Sequence, residues 1–201
     1  MRPPALALSY QSPAQEADFA VALALLRSGG QNVETEEREP SGPFAGLEWL
    51  IPTAVIFFIG KAYVDGFVKE IGKDHYNLLK VALKTLWSRM VGPESPAMTV
   101  IGTAGKARAA NEYSLFFSLL AEAPDGVRFK LLIKSRATQE EYQATIDAFI
   151  DFIDAFHKRE LTQEFVEEAA KIPAVGKTLL VAYDPIEKRI HPVDPLAGRH
   201  K

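Results

Sequence analysis

The chain has 201 residues, enough to bury one large core or two small ones. Its 47% apolar and 24% charged residues are those of an ordinary globular protein, and a net charge of −3 argues against a nucleic-acid binder. The absence of cysteine excludes disulfides, thiol nucleophiles and cysteine-ligated zinc, and fits a reducing, cytoplasmic location.

In chain order, Ala5 to Ser9 reads as a buried strand. The apolar run around it stops at Leu8 and is preceded by Pro3 and Pro4, which is not the pattern of a secretion signal. A helix is predicted next, with Ser12 as cap, Pro13 in the first turn and Gln15 closing a capping box. It runs through Phe19, Leu23 and Leu26 to Gly29-Gly30. Val21, Ala22 and Leu25 make it apolar almost all round, so cover on more than one side is expected. Asn32 to Glu36 reads as a second strand, and Arg38 to Pro43 as a loop.

Trp49 to Ile59 is the most apolar stretch. Pro52 and Thr53 interrupt it, and it falls short of the ~20 residues a spanning helix needs. No stable membrane insertion is expected, and Thr53 to Ile59 is predicted to be a central strand covered on both faces. A helix over Ala62 to Ile71, ended by Gly72, and another from Asp74 with Tyr76, Leu79, Leu83 and Leu86 at helical spacing complete a doubly wound pattern.

Gly92 to Pro96 is the candidate boundary. It separates an α/β, parallel-sheet (flavodoxin-like) part, residues 1–91, from an α+β part, residues 97–201, in two domains or one continuous one. Met98 to Ile101 reads as a strand. Tyr113 to Leu120 and Val127 to Lys134 flank Ala123-Pro124-Asp125-Gly126 as an antiparallel hairpin. Arg128, Lys130 and Lys134 alternate with Phe129, Leu131 and Ile133, which predicts one wet face. Thr138 and Glu141 form a capping box before a long helix whose Tyr142, Ile146, Phe149, Ile153 and Phe156 share one face. Thr162 caps a shorter helix. Thr178 to Tyr183 and Arg189 to Val193 read as a final hairpin, and Pro195 to Lys201 as a tail.

Most chemical motifs yield to plainer readings. Val175-Gly176-Lys177-Thr178 ends like a phosphate-binding loop, but Lys171 stands where its first glycine belongs and a strand follows instead of a helix. Gly102 to Lys106 is a basic loop without a complete fingerprint. Asp147, Asp151 and Asp154 read as the solvated flank of the long helix, and Lys73, Lys80 and Lys84 as the polar face of theirs. His75, His157, His191 and His200 show no metal-ligand or triad spacing, so neither metal nor cofactor is expected.

Residues 5–75 resemble a Toll/interleukin receptor (TIR) domain. The similarity rests on Leu8-Ser9-Tyr10 with Asp18-Phe19 and Gly29-Gly30, on Arg38-Glu39-Pro40-Ser41-Gly42, and on Val55 to Ile59 followed by Gly60-Lys61-Ala62-Tyr63. The second half departs from that pattern. The resemblance implies an assembly or signalling module of the kind used in bacterial stress and defence systems, with other protein chains or further copies of itself as partners. The alternative it implies is a hydrolase that cleaves NAD, with Glu70 stabilising the charge that develops on the ribose, Asp65 as the fallback carboxylate, and Ser9, Tyr10 and Tyr63 around the nucleotide. A membrane-peripheral protein using Trp49 to Phe58 is the third reading.

Overall fold

The computed structural model describes residues 5–39, 53–65, 72–96, 112–123, 126–172 and 177–194, with Gly72 and Lys73 as backbone alone. Glu70, the loop over 40–43, the stretch 49–52, the strand expected at 98–101, the basic loop over 102–106, Gly176 and the tail lie outside the described residues.

Among the described residues seven strands form one sheet in the order β2-β1-β3-β4-β5-β6-β7. They are β1 (Leu6–Tyr10), β2 (Val33–Glu37), β3 (Val55–Ile59), β4 (Tyr113–Glu122), β5 (Arg128–Lys134), β6 (Thr178–Asp184) and β7 (Arg189–Pro192). The fold is α/β. Parallel pairs β1–β2 and β3–β4 dominate the N-terminal half, and the expected hairpin joins β4 to β5. Each parallel pair, β5–β6 included, has helices between its strands in the chain, as parallel crossovers require. The contacts β1–β3, β4–β5 and β6–β7 are antiparallel. Strand direction therefore reverses between pairs: β1 and β2 run one way, β3 and β4 the other, β5 and β6 the first way again.

Helices are α1 (Ala20–Ser28), α2 (Lys61–Val64), α3 (Gly72–Lys84), α4 (Trp87–Met90), α5 (Gln139–Lys158) and α6 (Gln163–Ala170). Their buried residues join one cluster with Leu6, Leu8, Val55, Phe57, Phe117, Leu119, Leu131 and Val181. Those strand residues share a sheet face because side chains alternate along a strand. Among the described residues every helix packs on this first face, where a doubly wound pattern leads one to expect helices on both. On the second face Leu132, Leu180 and Ala182 form a separate small cluster.

Several local expectations shift. The helix after β1 starts with a 3-10 turn over Glu16–Phe19 rather than at Ser12; the Asp18 carboxylate accepts the Gln15 N–H at 2.9 Å, so Gln15 and Asp18 make the box. Ser12 and Pro13, joined by a cis bond, lie in the preceding turn. Gly30, at φ +77, ends α1 as expected, and the Gln31 N–H closes on the Leu26 carbonyl at 2.9 Å. α3 includes Gly72, and residues 66–71, where the preceding helix is expected to end, lie outside the described residues. Lys130, expected on a wet face, is buried, as are Leu132 two residues along and Leu180 beside it on β6. Thr138 and Glu141 form the predicted box, with 2.8 and 3.2 Å bonds, and Tyr142, Ile146, Phe149 and Ile153 are buried below it.

Asp147 and Asp151 on α5 are substantially exposed, as expected, but they are also paired. Asp147 and Asp151 face α3, where Lys80 bonds Asp151 at 2.7 Å and Lys84 bonds Asp147 at 2.7 Å. The Tyr76 hydroxyl donates to Asp151, and Asp154 pairs with Lys158 one turn along. The two faces that read as separately hydrated belong to one helix–helix seam.

Candidate functional site

The residues expected around a nucleotide divide between two ends of the sheet. Tyr10 pairs with Val55 and Leu6 with Ile59, so the antiparallel contact puts the end of β1 beside the start of β3. Tyr63, just beyond the carboxyl end of β3, lies at the opposite end from Tyr10. Ser9 and Tyr10 also face opposite sides: Tyr10 is buried in the main core with its ring 5.4 Å from Phe19, and Ser9 is half-buried on the second face. The Tyr63 hydroxyl donates to the His75 carbonyl at 3.1 Å, and burial raises its pKa. Ser9 and Tyr10 are thus not brought to Tyr63.

A titratable cluster does form where β3 and β4 both end, the place at which open α/β sheets take their ligands. Lys61 Nζ bonds Asp65 Oδ2 at 2.7 Å, and the Lys61 N–H is 3.5 Å from Glu122 at the end of β4. α5 runs back along the sheet and brings His157 from its last turn, with Nδ1 3.5 Å from Asp65 Oδ1. The imidazole is only 2% exposed, and its Nε2 is buried without a hydrogen-bond partner among the described residues. The contact sets a carboxylate beside a buried imidazole. Asp65, the fallback carboxylate, is here; the partnership with His157 was invisible because 92 positions separate the two residues.

A second cluster sits on the other face of the sheet. β-Register puts Ser118, Leu120, Lys130, Leu132 and Leu180 on that face. Thr53 Oγ1 and Ser118 Oγ, both buried, lie 2.5 Å apart. Arg38, just past β2, sends Nη2 to the carbonyls of Thr53 at 3.1 Å and Ala54 at 3.5 Å, while its Nε is buried without a partner among the described residues. Lys130 is 8% exposed. Burial, and then the Arg38 charge, lower its pKa to about 8. Sequence alternation marked Lys130 as a solvent residue, and no local pattern marked this place.

A shallow crevice lies outside the carboxyl ends of β5 and β6, lined by Tyr113, Leu132, Lys134, Glu141, Thr145 and Tyr183. Burial and Glu112 push the Tyr113 hydroxyl up to about 12. The first turn of α5 beside the crevice carries Glu140 and Glu141 and has its capping bonds filled, so it does not favour an anion. No three-residue group able to hold a metal, and no helix long and apolar enough to cross a membrane, occurs among the described residues. No family model, no curated protein and no solved structure matches this chain.

Proposed function

We propose that the chain is a TIR-like assembly or signalling module and that the outward face of α1 is its contact surface. The observation that carries this reading is the exposure of an apolar helix. Ala22, Leu23 and Leu26 face the core, whereas Val21 is 64% exposed and Ala20 and Ala24 are exposed beside it. These positions share one side of the helix, next to the half-buried Leu25. A core-facing stripe needs only one side of such a helix to be apolar, and apolar surface in water is worth about 25 cal/mol per Å² once covered. The proposed occupant is a second copy of the chain. Sedimentation across a wide concentration range should show self-association that Val21→Glu abolishes without loss of fold. Identical sedimentation of wild type and variant would refute the contact surface.

A second reading, cleavage of NAD, draws support from the Lys61–Asp65–His157 cluster after β3. It predicts nicotinamide release that falls by at least about two orders of magnitude in Glu70→Gln or Asp65→Asn. Pure protein that releases no nicotinamide at any oligomeric state would dispose of it.

A further inference from the structure

Along one side β2 pairs with β1, and along the other it meets no described strand. Its outward main-chain groups can be named. The Arg38 N–H reaches the Tyr10 carbonyl at 2.7 Å. Main-chain groups alternate sides along an extended strand, so those of Glu34 and Glu36 also turn to β1. The N–H and C=O of Val33, Thr35 and Glu37 therefore turn away from the sheet. A donor and an acceptor repeated at every second residue are what an incoming extended chain needs to add a strand. Neither face of β2 obstructs the approach, because Glu34 and Glu36 on one side and Thr35 and Glu37 on the other are all exposed. A strand covered by a packed layer would bury one of those two sets.

The side chains of this edge select what can approach it. Glu34, Glu36, Glu37 and Glu39 are exposed, and none is paired with a cation among the described residues. Arg38 stands among them in sequence but turns inward, to the carbonyls of Thr53 and Ala54. Residues opposite one another on adjacent strands lie about 5 Å apart, where opposite charges attract and like charges are disfavoured. We propose that β2 is a strand-addition site for an extended basic segment of another protein, with lysine or arginine at two alternate positions opposite Glu34 and Glu36. The outward groups of Thr35 and Glu37 supply the main-chain bonds, and the carboxylates supply the choice of partner. The site makes no use of the outward face of α1 and does not rest on the assembly reading.

The full-length chain, isotope-labelled for NMR, is titrated with a short capped peptide that alternates lysine with valine, and amide exchange is followed residue by residue. In the free chain the outward amides of Thr35 and Glu37 should exchange faster than those of Glu36 and Arg38. Saturating peptide should slow Thr35 and Glu37 by at least about tenfold and leave the α3–α5 seam unchanged. Glu34→Gln together with Glu36→Gln should weaken binding about fivefold, the scale of two exposed ion pairs. Thr35→Pro, which removes an outward N–H and leaves the bonds to β1 in place, should abolish it. The same peptide N-methylated throughout should not bind the wild-type chain, a result that depends on the fold of no variant. Wild-type protein whose Thr35 and Glu37 amides exchange equally with and without the lysine peptide would overturn the proposal. Equal protection by the N-methylated peptide, or by one carrying glutamate in place of lysine, would overturn it as well. Protection that appears without peptide and grows with protein concentration would make the occupant a second copy and overturn the basic segment.

Discussion

Raising the pH from about 7 to about 9.5 should stabilise this protein through Lys130. In the unfolded chain Lys130 holds its proton up to the ordinary 10.5, whereas in the fold it gives the proton up near 8. Between those values the unfolded state binds more protons, so stability rises with pH. The destabilisation is fully present below about 8 and is relieved as pH climbs toward 10.5. The gap corresponds to about 3 kcal/mol in all, of which about 2 is recovered by pH 9.5. Buried Tyr63 and Tyr142 and half-buried Tyr113, whose hydroxyls are all raised, work in the opposite sense above about pH 10, because the unfolded chain then loses tyrosine protons first. Urea unfolding of wild type and Lys130→Met at matched pH values separates these contributions. The lysine protein should gain about 2 kcal/mol on the methionine variant over that range. Parallel pH profiles for the two proteins would show that Lys130 titrates normally and that its burial carries no electrostatic cost.

Phe149, fully buried on α5 with its ring stacked 6.5 Å from Phe152, should cost roughly 3–5 kcal/mol when replaced by alanine in a denaturant titration. Asp151→Ala loses the Lys80 and Tyr76 partners, but its side chain is 59% exposed, so less than about 1 kcal/mol is expected; a loss matching Phe149→Ala would contradict the packing of α3 on α5. Ser118→Ala leaves the buried Thr53 hydroxyl without its partner and should cost about 1–3 kcal/mol, whereas adding Thr53→Val should recover much of that loss. A double variant no better than the single one would mean that the hydroxyls do not depend on each other.

The elements were legible in the sequence because their periods were clean. The alternation along β5, the spacing of four and three along α5 and the Thr138–Glu141 box each identify an element from local residues alone. Strand direction was not legible. Val55 to Ile59 is equally apolar whether its neighbour runs with it or against it, and the antiparallel β1–β3 contact separates Tyr10 from Tyr63. Partnerships across long separations were hidden for a similar reason. Asp151 with Lys80, and Asp65 with His157, are polar residues on helix faces until packing sets those faces together. Lys130 deceived because an alternating strand states which residues share a face, and only the tertiary structure decides whether that face is wet.

Among the described residues β2 stands at the margin of the sheet, and the outer backbone groups of such a strand are the kind that recruit strands from other molecules. Glu34 and Glu36 project from one side of that margin and Glu37 from the other, all exposed, with only Val33 of the strand buried. Two such margins brought together would set rows of carboxylates against each other on both sides of the seam, so growth into fibrils by strand addition is opposed at neutral pH.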